Sequence, residues 1–84
     1  MGSFIYDRMR DKSVTERAGI LYQALQELGG WQEIRDIQDH IYEGPWTGTY
    51  IEGHLAYTSM LKLLEDGLIK SRHINSRVRQ WKII

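Results

Sequence analysis

The stretch from Ser13 to Gly30 carries a start, a stripe and a stop for one helix. Ser13-Val14-Thr15-Glu16 has the form of a capping box: the serine side chain meets the N3 amide and the glutamate reaches back. Val14, Ala18, Leu21, Leu25 and Leu28 follow at spacings of four and three, one apolar stripe. Gly29-Gly30 ends it, because glycine readily takes the left-handed conformation of a helix C-cap. Such a stripe must be buried against something, and in 84 residues there is room for one domain and one modest core.

The rest of the chain supplies the partners. Trp31 is expected in a short linking segment that makes a β-bridge of one or two residues. A second helix is expected over residues 32–42, with Ile34, Ile37 and Ile41 on one face and Glu33, Asp36 and Asp39 on the others. Glu43-Gly44-Pro45-Trp46-Thr47-Gly48 breaks it as a turn. Thr49-Tyr50-Ile51-Glu52 is a second capping box and opens a third helix over residues 50–66, closed by Gly67. On that helix Gly53, Ala56, Tyr57, Met60, Leu63 and Leu64 cluster at about 100° per residue as the packing face, with Ile51, Leu55, Thr58 and Lys62 opposite. Two strands close the chain, residues 68–73 and 77–83, joined by Ile74-Asn75-Ser76. A three-residue loop pairs Ile69 with Trp81 and Ser71 with Arg79. It puts Ile69, Trp81 and Ile83 on one face and basic side chains at the tip and on the other face; a two-residue loop would instead shift the parity and leave the register open.

Helix, helix, turn, helix and hairpin, in that order, resemble a winged-helix domain, a variant of helix-turn-helix. The most specific stretch is Met60-Leu61-Lys62-Leu63-Leu64-Glu65-Asp66-Gly67-Leu68-Ile69. It is similar to the ending, L-x-x-L-E-x-x-G-L-I, that many bacterial and archaeal winged-helix regulators show where the recognition helix closes and the first wing strand begins. The resemblance implies a mainly α domain over residues 13–84 with a small antiparallel wing, preceded by an arm over residues 1–12. It also implies duplex DNA as partner, the third helix entering the major groove and the wing touching the backbone. Carried onto this chain, the groove-facing residues are Thr49, Tyr50, His54, Thr58 and Lys62, and the wing residues are Arg72, His73, Arg77 and Arg79.

Charge both supports and strains that expectation. The total is neutral, 11 Lys and Arg against 11 Asp and Glu. Residues 1–61 hold five cations and nine carboxylates; residues 62–84 hold six cations and two carboxylates. A basic C-terminal strip on an otherwise acidic domain marks a polyanion contact or a hairpin that guards its own edges. The third helix, though, has no arginine, carries Glu52 and has only Lys62 near its end. Phosphate neutralisation dominates DNA affinity, so the wing has to compensate, or two copies have to bind together.

Candidate surfaces for a homodimer or a protein partner are Phe4, Ile5 and Tyr6 in the arm and Ile51 and Leu55 on the third helix. The leading expectation is a small stand-alone transcriptional regulator. The rival is a winged-helix protein-interaction module using the acidic second helix with Ile51 and Leu55, a phage-encoded inhibitor of a host factor being one example. No catalytic constellation, cofactor motif or standard metal spacing is present. Asp36 and His40, one turn apart, are the nearest to a ligand pair. Without cysteine there are no disulfides or thiolate sites, and no apolar run reaches the roughly 18 residues of a membrane span. The start lacks the pattern of a signal peptide, and a cytoplasmic location is expected.

Overall fold

A computed structural model describes residues 12–44 and 50–84, the side chains of residues 50–52 excepted. Among the described residues, helices α1 (Val14–Leu28), α2 (Ile34–Ile41) and α3 (Tyr50–Glu65) precede an antiparallel hairpin of β1 (Ile69–His73) and β2 (Arg79–Ile83). This is the winged-helix layout expected from the sequence. Residues 1–11 of the arm and the second capping box, at Thr49, lie outside the described residues, as do Phe4, Ile5, Tyr6 and the side chains of Tyr50 and Ile51.

The first capping box forms as expected. The Glu16 amide donates to Ser13 Oγ (3.1 Å) and the Ser13 amide donates to the Glu16 carboxylate (3.4 Å). Gly29 closes α1 at φ 71°. The Gly67-Leu68 exit from α3 is a Schellman motif. Gly67, at φ 76°, donates to the Leu64 carbonyl and Leu68 donates to the Leu63 carbonyl, both at 3.1 Å. This turn sends the chain from Gly67 directly into β1.

The core draws on every element: Leu21 and Leu25 from α1, Ile37 and Ile41 from α2, Ala56, Met60 and Leu63 from α3, Ile69 and Trp81 from the hairpin. Each large side chain buried there contributes about 1.5–3 kcal/mol. Helix α2 begins later than expected because Gln32 is committed elsewhere. It makes the isolated bridge to Trp81, with amide-to-carbonyl bonds of 2.9 and 2.8 Å in the two directions. The one-residue bridge beside Trp31 is therefore present, and it ties the α1–α2 link to the wing.

Two helix faces differ from expectation. On α1, Arg17 is buried while Val14 stays exposed. Arg17 Nε donates to the buried Ser59 hydroxyl (3.3 Å), its guanidinium also reaches the Lys12 carbonyl, and Ser59 donates to the Leu55 carbonyl (2.9 Å). This polar tie turns α3 so that Ala56, Ser59, Met60 and Leu63 face inward and Tyr57 faces outward. Leu55 is half-buried rather than exposed. On α2, Gln38 is fully buried beside Ile37 with neither amide atom bonded, a cost no apolar pattern reveals.

The hairpin has the expected sidedness but a shifted register. Ile69 pairs with Ile83, Ser71 with Trp81 and His73 with Arg79. Asn75 is the reason. Its side-chain oxygen accepts from the Arg77 and Val78 amides (2.8 and 3.0 Å), and the Ile74 amide donates to the Val78 carbonyl (2.9 Å). The turn is thus centred on Ser76, one place further on, with residues 74–78 connecting the strands. A slip of one loop position moves each partner by two, so no side chain changes face.

Candidate nucleic-acid interface

Helix α3 presents His54, Thr58 and Glu65 outward, with Tyr57 toward the wing. Its polar groups are largely engaged at home. The Thr58 hydroxyl donates to the Leu55 carbonyl (3.0 Å), and Lys62 lies 3.4 Å from the Asp66 carboxylate one turn on. The single lysine of the helix is thereby partly neutralised, and Glu65 adds a negative charge nearby.

The hairpin is different. It carries Lys70, Arg72, Arg77, Arg79 and Lys82, and among the described residues none has a carboxylate within 4 Å. Strand alternation divides these cations between two faces. Arg79 falls on the inner face with Trp81, not on the outer face with the other strand cations. Its guanidinium carbon is 4.3 Å from the centre of the Trp81 ring. Its terminal nitrogens donate to the Tyr57 hydroxyl (3.1 Å) and to Ser71 Oγ (2.8 Å). Tyr57 meets Trp81 edge-on at 5.9 Å between ring centres. Arg79 thus fastens the wing to α3. Beside it a hollow of about 240 Å³ opens between the start of α2, α3 and the wing, lined by Arg35, Arg77, Arg79 and Tyr57, with Glu33 as its one acid among the described residues.

On the outer face Lys70, Arg72 and Lys82 surround Trp31. The indole is half-buried, with the Arg72 guanidinium carbon 4.2 Å from its centre and the Lys70 and Lys82 ammonium groups 5.7 and 5.9 Å away. Arg72 Nε donates to Gln80 on the paired strand (2.9 Å). His73 and Arg77 are exposed at the tip.

Sequence reasoning missed Trp31, Arg35, Lys70 and Lys82 as site residues. The signal for the outer cluster was present: Lys70 and Arg72 are two apart, and Lys82 shares their face once β1 and β2 pair. Trp31 precedes the bridging Gln32, so strand alternation places it on the face opposite Trp81.

No protein-family model, curated protein or solved structure matches the chain. The reading of this surface therefore rests on its own chemistry.

The other side of the molecule has opposite character. A hollow of about 680 Å³ between α1 and α2 is lined by Glu27, Asp39 and Glu43 together with His40. His40 Nε2 lies 2.7 Å from the Glu27 carboxylate rather than joining Asp36, whose carboxylate accepts the Glu33 amide (3.0 Å). The hydrogen bond with His40 holds the Glu27 carboxyl below the ordinary glutamate value. Among the described residues no three His, Asp or Glu side chains gather as a metal site, and no helix is long and apolar enough to cross a membrane.

Proposed function

We propose that this chain is a small DNA-binding regulator of winged-helix type that holds duplex DNA chiefly through its wing. One observation carries the reading: the hairpin cations have no carboxylate partner among the described residues, whereas Lys62, the one lysine of α3, does. Counterion release scales with the phosphates a protein neutralises, so unpaired cations set the affinity. In this reading Arg77 and Arg35 reach phosphates beside the hollow, His54 and Thr58 lie toward the groove, and Arg79 holds the wing in place. A wing-led contact answers the poverty of α3 in positive charge.

The rival reading, a protein-docking module, has less support. Leu55 is half-buried, and the Asp36 carboxylate on α2 is occupied by a backbone amide.

The test is a titration of a mixed-sequence duplex by anisotropy across a salt series, with the mass of the complex measured alongside. Affinity is expected to fall steeply with salt, and Arg77→Ala to reduce the log–log slope by about 1. A folded protein that binds no duplex at low salt removes the proposal. A mass of two chains per duplex supports binding as a dimer.

A further inference from the structure

We infer that the outer face of the wing, built from Trp31, Lys70, Arg72 and Lys82, is a phosphodiester-binding site separate from the surface around α3. The inference goes beyond the proposed function in naming a second contact surface and its ligand class, and it does not require α3 to enter a groove.

Lys70 and Lys82 are direct cross-strand partners. Like charges placed opposite each other in a ladder are destabilising. Arg72, on the same face, adds a third positive charge, and no carboxylate lies within 4 Å of any of the three among the described residues. The face as it stands is repulsive, and a bound anion relieves it.

The Arg72 guanidinium is fixed in two directions, by stacking on Trp31 and by the bond from Nε to Gln80. Nε is used, and among the described residues no hydrogen bond or ion pair engages the terminal nitrogens of this exposed side chain. A planar guanidinium held this way is already ordered for the paired oxygens of a phosphate. The two ammonium groups flank it as point charges. The ligand chemistry is therefore an oxyanion with several oxygens and more than one charge nearby, as in a run of backbone phosphates.

Arg79, Trp81 and Ile69 hold the inner face of the same hairpin against the helices, so the outer face points away from them. Two sources of the phosphodiester remain, a duplex gripped from the wing side and a single strand, and the experiment separates them.

The experiment follows the three indole Nε–H resonances of the whole chain by heteronuclear NMR, assigning them with Trp31→Phe and Trp46→Phe. Three probes are titrated: a mixed-sequence duplex, an oligothymidylate and inorganic pyrophosphate. The Trp31 resonance is expected to move, the buried Trp81 resonance to stay, and the Lys70→Gln/Lys82→Gln variant to lose the Trp31 response. In that variant the log–log salt slope of the responding nucleic acid should fall by about 2. The unchanged Trp81 resonance shows that the variant remains folded. Duplex binding with a silent Trp31 and an unaltered slope in the double variant overturns this inference while leaving the proposed function standing. A Trp31 response to oligothymidylate or pyrophosphate without duplex binding upholds the site and removes the duplex reading. No response to any probe overturns both.

Discussion

The two faces of the wing use the same side-chain types to opposite ends. On the inner face an arginine stacks on Trp81, and its terminal nitrogens are consumed by Tyr57 and Ser71. On the outer face an arginine lies over Trp31, but among the described residues only Nε has a hydrogen-bond partner, and two lysines crowd the same ring. Burial decides the difference. Trp81 is fully buried, bridged to Gln32 and part of the core, so everything around it serves the fold. Trp31 is half-buried at the surface, so the charges around it are left for a ligand. An arginine in the wing is therefore not by itself a DNA contact; the number of its nitrogens already bonded within the chain is the better guide.

The largest expected effect breaks the inner face. Trp81→Ala should destabilise the protein by about 3–5 kcal/mol in denaturant unfolding, while Trp31→Ala should cost less than half of that. Comparable losses would erase the distinction between the two faces. Next, Arg79→Ala should lower stability by about 1–3 kcal/mol through two lost charge-assisted bonds and leave the salt slope of DNA binding nearly unchanged. A slope reduced by a full phosphate would move Arg79 to the binding surface. Removing outer charge should act the other way. Lys70→Gln/Lys82→Gln is expected to keep stability or raise it by a few tenths of a kcal/mol, since it relieves a like-charge cross-strand pair. A loss of stability in that variant would mean that the cations serve the fold.

The smallest effect lies far from the wing and serves as a control. The folded-state pKa of Glu27 is depressed by its bond with His40, so the pair contributes stability above the unfolded glutamate value, and that contribution is lost as pH falls through the lower folded value. The difference in Tm between the protein and Glu27→Gln should therefore narrow toward zero as pH drops below the ordinary glutamate range. DNA affinity should not follow this change.

Much of the fold was legible because it is written locally. The Ser13–Glu16 box, the Gly29 cap and the Gly67-Leu68 exit each act within a few residues, and the structure forms all three. The bridge beside Trp31 was legible too. What the pattern missed depends on partners distant in sequence. The turn of α3 about its axis follows from Arg17 reaching Ser59, 42 residues away. The hairpin register follows from an Asn75 side chain choosing its own amides. The outer cluster needed both the strand pairing and the Gln32 bridge before Trp31 could be placed beside Lys70, Arg72 and Lys82. Among the expected contacts, His54, Arg72, His73 and Arg77 are exposed, Thr58 is half-buried with its hydroxyl bonded to Leu55, Lys62 is paired with Asp66, and Arg79 is turned inward. Thr49 and the Tyr50 side chain lie outside the described residues.

The central claim, that the wing rather than α3 carries the phosphate contacts, is tested most directly by the salt dependence of duplex affinity in two variants. Arg77→Gln should reduce the log–log slope by about 1, and Lys62→Gln should leave it within a few tenths of the parent. The reverse pattern, a slope flattened by Lys62→Gln and untouched by Arg77→Gln, would contradict the account.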